Sequence, residues 1–251
     1  MNEEQIREAL ARNISSVQGC IAAAAGRAGR DPSAIQLVAV SKTVQPARVL
    51  AAYRLGLRTF GENRVEEAED KIAATNAEIA RQGGSSPAWH MIGHLQSRKA
   101  ARAARLFDLI HSVDTLHLAQ RLDRQAAALG KTIPVLLELN ISGEEMKSGF
   151  PLSLVGDMNE QAAAFLPTVE QILALPALDV RGLMTMAPIV DAPEKVRPYF
   201  RRLREWRDML RERFPQRPFS ELSMGMTDDF EVAIEEGATM VRIGRAIFNI
   251  P

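Results

Sequence analysis

Hydrophobic and polar positions change period along this chain. Over residues 3–28, Ile6, Leu10, Ile14, Val17 and Ile21 recur three or four apart, which predicts an amphipathic helix. Gly29 is placed to end it. Short apolar runs of strand type follow: LVAVS (37–41), RTFGE (58–62), WHMIG (89–93), LIHSV (109–113), PVLLELNI (134–141), VRGLM (180–184), ELSM (221–224) and MVRIG (240–244). Segments of helical period separate them. Leu116, Ala119, Leu122, Ala126 and Leu129 form one stripe in 115–129; Val196, Phe200, Leu203, Trp206 and Leu210 form another in 193–213. Strands alternating with helices predict βαβ units and a parallel sheet. Eight such repeats in 251 residues match the count and size of an α/β (β/α)8 TIM barrel. A doubly wound sheet is the alternative, but its phosphate-binding glycines follow the first strand, and VSKTVQPA has none. No linker divides the chain. RQGGSSPA (81–88) reads as a short loop and GFPLSLVGDMNEQAAAFLP (149–167) as an irregular βα-loop excursion. The expected organisation is a single domain over 1–251, the helix of 1–30 packing on the barrel.

Charge and composition narrow the picture. Lysine plus arginine equal aspartate plus glutamate at 31 each, so no net field draws the chain to nucleic acid or anionic membrane. The opening MNEEQIREAL carries acids where a signal peptide has a basic region, and no apolar run reaches the ~18 residues of a membrane span. The single cysteine, Cys20, excludes an internal disulfide framework and reads as helix packing. A cytoplasmic protein is expected.

Chemistry in such a barrel gathers where strands end and their loops begin. The strand ends here carry Lys42, Asn63, His90, His94, His111, Asn140, Ser223 and Arg242. After strands seven and eight, the usual phosphate-binding end of this architecture, stand SMGMT and RIGR. Ser223 offers a hydroxyl, and Gly225 and Gly244 let backbone N–H groups approach an anion, although glycines after strands also serve as plain turns. Asp228 with Glu231 reads as a capping box for the next helix. Lys42 ends an apolar run. Either it marks where the chain meets water, as a snorkelling lysine does, or its amine is wanted for chemistry. An amine facing a phosphate cradle suits a phosphorylated aldehyde, pyridoxal 5′-phosphate (PLP) being the natural candidate. Burial at the mouth would lower the amine pKa and supply the free base.

The stretches LVAVSKT, FGENRVEEAEDK, WHMIGHLQSRKA, IHSVDT, LELNISGEEMKSGF, RGLMTM and LSMGMTDDFEVAIEEGATMVRIGRAIF resemble the pyridoxal phosphate homeostasis protein family, in order, over about residues 35–248. The resemblance implies a PLP-binding barrel related to the N-terminal domain of alanine racemase. It implies Lys42 as the Schiff-base lysine, Asn63 beside the ring, and Ser223 with the backbone of Met224, Gly225, Gly244 and Arg245 on the phosphate. Arg242 would reach the pyridine nitrogen. RIGRAIFN departs from the family at Arg245, commonly Thr or Ser, and at Asn249, commonly Gly. The backbone N–H, or an inward-turned Arg245, would then serve the phosphate.

An arginine facing the ring nitrogen disfavours the pyridinium form and makes the ring a poor electron sink. Racemisation needs a base on each face of the substrate carbon. The related racemases take one, a tyrosine, from a second domain and a partner chain, whereas Tyr53 and Tyr199 here fall in helices. The expectation is a monomeric binding protein, without catalytic residues, that holds PLP and passes it transiently to PLP-dependent apoenzymes. A low-activity amino-acid racemase is the alternative enzyme reading, and a barrel for another phosphorylated ligand is a third.

Other residues have plainer readings. His90 and His94 are four apart but on a strand and turn, where such positions do not converge on a metal. His90 is expected to line the mouth and His111 to be a satisfied core histidine. Lys147 in EEMKSGF is the second amine open to the aldehyde, its plainer role a solvated loop lysine. The arginine-rich helix of 197–214 reads as a solvated face rather than an RNA surface, with Phe200 and Trp206 turned to the core. Met184, Met186, Met224 and Met226 cluster at the predicted mouth as packing under a ring or as core filling.

Overall fold

Apolar runs of this kind need both faces of their sheet covered, and here the sheet closes on itself. The computed structural model describes residues 2–250. Its eight parallel strands form a closed barrel in sequence order. They are β1 (Gln36–Val40), β2 (Thr59–Glu62), β3 (Ala88–Met91), β4 (Leu109–Val113), β5 (Ile133–Glu138), β6 (Leu178–Met184), β7 (Glu221–Ser223) and β8 (Met240–Ile243). Closure is made by β1 on β8, from Gln36↔Met240 to Ala39↔Ile243. The expected α/β TIM barrel is the fold observed, and no helix among the described residues is long and apolar enough to cross a membrane.

The core has two layers. Val38, Val40, Ile92, Leu109, Leu136, Met184 and Met240 fill the inside of the barrel, so Met184 is core filling. Outside, the helices α1 (Glu3–Arg27), α2 (Pro46–Arg54), α3 (Val65–Arg81), α4 (Ala100–Leu106), α5 (Leu116–Ala128), α6 (Met158–Leu173), α7 (Arg197–Arg213), α8 (Phe230–Glu235) and α9 (Arg245–Phe248) enclose the strands in a second, larger cluster.

The last two helices are only 6 and 4 residues long, too short to cover the strands they follow. The 25-residue α1 lies across them and supplies the missing apolar cover with Leu10, Ile14, Val17 and Ile21. Full burial of each such side chain is worth roughly 1.5–3 kcal/mol. A capping box between Asn2 and Gln5 starts α1. At its end Gly29, at φ +63, lets Arg30 N–H reach the Ala25 carbonyl at 2.9 Å and Gly29 N–H that of Gly26 at 3.2 Å, so the stop expected at Gly29 is a Schellman motif.

Two expectations need correction. Residues 149–167 are not irregular throughout: α6 begins at Met158, capped by the Asp157 carboxylate, and runs through Pro167. That proline disguises a helix that tertiary packing of Phe165, Val169 and Ile172 holds in place. The arginines of α7 are also not merely solvated. Arg197, Arg201 and Arg204 converge on Glu236, which is buried at the end of α8, while Phe200 and Trp206 are buried as expected.

Candidate functional site

The barrel order brings four consecutive strand ends, β7, β8, β1 and β2, side by side. Lys42 sits in the turn after β1, where Val44 N–H bonds the Ser41 carbonyl at 2.9 Å and Thr43 adopts φ +61. Ser41 is fully buried but Lys42 is exposed. This corrects the expectation that Lys42 lies sheltered by burial. The turn carries it past the last apolar layer, and among the described residues it makes no hydrogen bond or ion pair.

Next to it, Gly244 follows β8 so closely that a Cβ there would lie 3.1 Å from the Val40 carbonyl oxygen. Gly225, in the turn after β7, has φ +91 and abuts Phe230 and Ala233. Among the described residues, the N–H groups of Gly225, Gly244, Arg245 and Ala246 have no acceptor. These two turns are therefore rich in unspent donors, which is what an anion takes up. Met224 N–H is not among them, being bonded to the Met240 carbonyl at 3.2 Å. The Arg245 guanidinium does not turn inward; it pairs with Asp228 on the surface. Asp228 is thereby taken from the capping role expected of it. The N-cap of α8 is Asp229, whose carboxylate accepts from Met226 N–H at 2.5 Å.

Ser223 is occupied too. Its hydroxyl is fully buried, accepts from Arg242 Nη1 at 2.6 Å and lies 2.8 Å from His111 Nδ1. Because arginine only donates, the Ser223 proton is left to point at His111. His111 Nε2 in turn contacts His90 Nδ1 at 3.0 Å. His111 is the satisfied core histidine expected, and His90 lies deeper than a mouth-lining residue. Burial pushes His90 down to about 4 and His111 well below the usual imidazole range, so both are neutral at pH 7. Arg242 Nη2 donates to the Thr185 carbonyl at 3.0 Å. Burial lowers the guanidinium to about 10, against the opposing pull of Asp229 and Glu138.

Glu138, at the end of β5, is the acid that sequence reasoning missed. It is 2% exposed and its Oε2 has no partner among the described residues. The signal was present, since Glu138 keeps the alternation of Leu136, which faces the barrel interior. Burial, reinforced by Asp114 and opposed by Arg242, raises its carboxyl to about 7. The native state thus holds this proton to higher pH than the unfolded chain. The associated stability is full below about pH 4.5 and is lost as pH rises through about 7. Glu138→Gln should therefore gain on the parent as pH rises. Urea unfolding should show the stability difference moving in the variant's favour by about 2 kcal/mol from pH 5 to pH 8. A difference independent of pH would contradict the assignment.

Asn63, just beyond β2, lines a cleft of about 300 Å³ with Arg64, Gly93, His94 and Lys99. Gly93 touches it: a Cβ there would lie 2.4 Å from the Asn63 carbonyl oxygen. On the far side, Asn140 folds residues 140–150 into a tight loop by donating to the Glu144 and Lys147 carbonyls and accepting from Ser142 and Gly143. Lys147 is held there by Glu144 at 2.6 Å and the Ala187 carbonyl at 3.2 Å. His94 pairs with Asp114 at 3.0 Å.

Residues 7–250 match the family model of the alanine racemase N-terminal domain. The chain is 41% identical over 246 residues to the pyridoxal phosphate homeostasis protein of Escherichia coli K12, covering 96% of each. The protein of that name from Aquifex aeolicus is 40% identical over 236 residues, covering 94% of this chain and 96% of that one. The chain belongs to the pyridoxal phosphate homeostasis protein family. Among solved structures, the family fold is shared with PipY of Synechococcus elongatus with PLP bound, at 34% identity and TM-score 0.76 over 95% of this chain and 99% of that one. Alanine racemase of Corynebacterium glutamicum, at 19% identity and TM-score 0.66, shares the fold over 98% of this chain and 62% of its own. The pyridoxal phosphate homeostasis proteins thus match nearly the whole of this chain, whereas this chain covers only 62% of the racemase.

Proposed function

We propose that this protein binds PLP at the mouth formed by β7, β8, β1 and β2 and acts in PLP homeostasis. The observation that carries the reading is one exposed amine, Lys42, beside the Gly244 turn and one strand from the Gly225 turn, where the N–H groups of Gly225, Gly244, Arg245 and Ala246 have no acceptor among the described residues. The residues fit the ligand. Gly225, Gly244 and Arg245 N–H groups would take the phosphate, Arg242 would reach the ring nitrogen and Asn63 would lie beside the ring. Bound PLP would supply an aldehyde, and Lys42, the exposed amine after β1, would be the residue that holds it. Ser223 contributes by fixing Arg242 and His111 rather than by touching the phosphate.

Holding rather than turnover is supported by where the tyrosines lie. Tyr53, on α2, donates to the Ser85 carbonyl at 2.8 Å, and Tyr199, on α7, packs against the outer core. Neither stands at the mouth to act as a second base. Exposure of Lys42 favours loading and release, and so delivery to apoenzymes, over carbanion chemistry, which calls for exclusion of water. Lys147, engaged by Glu144, is the secondary acceptor.

The test is the visible spectrum of the protein mixed with PLP, followed by borohydride reduction and mass mapping. The parent should show a yellow band and a reduced adduct on Lys42. Lys42→Ala should lose both while retaining its fold. An adduct found chiefly on Lys147 would move the site across the mouth, and no adduct on any lysine would favour a different phosphorylated ligand. Loss of α-deuterium from L-amino acids above the buffer rate would revive the racemase reading.

A further inference from the structure

Directly beneath the Lys42 turn lies a buried ion pair that the binding reading does not use. Lys71, on α3, is only 9% exposed in its side chain, and Glu62, the last residue of β2, is fully buried. Lys71 Nζ donates to Glu62 Oε1 at 2.8 Å and to the Ser41 backbone carbonyl at 2.7 Å. The same Glu62 oxygen accepts from the Ser41 hydroxyl at 2.6 Å. Ser41 N–H donates to the Gly61 carbonyl at 2.9 Å. Every polar group of the residue before Lys42 is thereby fixed, the carbonyl by two donors once the turn bond from Val44 is included.

A buried ion pair is poor value as a stabiliser, because desolvating both charges offsets much of their attraction. This one is also imperfect, since Glu62 Oε2 has no partner. Its contacts show where its effect goes. They converge on Ser41, and the next two residues are the amine and Thr43, a β-branched residue held at φ +61, a conformation that persists only where surroundings over-determine it. We propose that the Lys71–Glu62 pair is the positioning device of Lys42: by clamping Ser41 through its carbonyl and its hydroxyl, it sets the turn that aims the amine at the neighbouring glycine turns. This rests on the reading of Lys42 as the amine that takes the aldehyde. Lys71 and Glu62 are positioning residues, touching Ser41 and not the ligand.

The experiment times adduct formation residue by residue. Protein and PLP are mixed, quenched with borohydride at intervals and mapped by mass spectrometry, with the exposed Lys131 as internal reference. The double variant Glu62→Leu/Lys71→Met exchanges the pair for apolar groups, a replacement that folds tolerate, and leaves Ser41 without its clamp. Labelling of Lys42 should slow ~10-fold, as misplacement of a reacting group does, while Lys131 is unchanged and circular dichroism stays that of the parent. Ser41→Ala, which removes only the hydroxyl arm, should slow Lys42 about threefold and decides the matter if the double variant does not fold. A folded double variant, or failing that Ser41→Ala, labelled at Lys42 at the parent's rate overturns the positioning role and leaves the binding reading intact. A parent protein unlabelled at Lys42 overturns the binding reading itself.

Discussion

Arg242→Leu is expected to destabilise the protein by about 3–5 kcal/mol at pH 8, the range for removing one partner from a set of buried charges. Arg242 is 4% exposed, and its guanidinium is the donor that ties the inner network together. Without it the Thr185 carbonyl loses a side-chain donor and the Ser223 hydroxyl loses its fixed partner. Leucine can supply neither bond, and burying unmade bonds costs more than making them gains. The charge balance fails as well. Arg242 is the group that holds the Glu138 carboxyl down against burial and Asp114. Its removal should push Glu138 further above about 7, so that the variant keeps a proton where the parent has released it. The penalty should therefore be smaller at pH 5, where Glu138 is neutral in both proteins. Denaturant titrations at the two pH values check this, and equal losses at both would show that Glu138 does not sense Arg242. In the binding reading the same variant, examined below its melting temperature, also loses the donor facing the ring nitrogen and should release PLP faster than the parent.

The barrel was legible because its evidence is local and repetitive. Each strand shows as an apolar run, each long helix as a stripe, and the number of repeats closes the topology. The β7–β8 end of the site was legible for the same reason, since glycines directly after strands mark places where backbone comes close. Burial and partnership were less so. The apolar run predicts a sheltered Lys42, but such a run does not say how far a turn will carry the residue that ends it. Lys71 lies among the acids of α3, a stretch that says nothing of burial; only the approach of β2 to α3 shows that it lies inside, opposite Glu62. Arg245 and Asp228 are 17 apart in sequence, so their pairing, which withdraws one from the phosphate and the other from a cap, carries no local signature. Ser223 illustrates the same point: a hydroxyl at a strand end looks available until the partners across the barrel, His111 and Arg242, are known.

Gly182→Ala is expected to be among the most damaging single-methyl additions the barrel can receive. Gly182 lies in β6 opposite Glu221 of β7. A Cβ on it would fall 1.9 Å from the Glu221 carbonyl oxygen and 2.7 and 2.8 Å from the carbonyl carbon and amide nitrogen of the same residue. All three are backbone atoms, so no rotamer change relieves the overlap and β7 itself must move. That strand is only 3 residues long, and the bonds that tie it to β8, such as Thr239 N–H to the Leu222 carbonyl at 2.9 Å and Met224 N–H to the Met240 carbonyl at 3.2 Å, move with it. Displacing it opens the barrel and carries with it Ser223 and the Gly225 turn. The expected loss is at least ~3 kcal/mol, the upper part of the range for overpacking. For a chain of this size that lowers Tm by about 6–12 °C. Gly19→Ala provides the contrast. Gly19 is exposed within α1 and a Cβ there meets nothing within 4 Å, so the methyl should stabilise by roughly 0.5–1 kcal/mol through helix propensity. Opposite shifts in Tm for the same chemical change would show that Gly182 is required by the approach of β7. A Gly182→Ala protein melting with the parent would mean that β6 and β7 lie further apart than described, and the turn proposed to hold the phosphate would move with them.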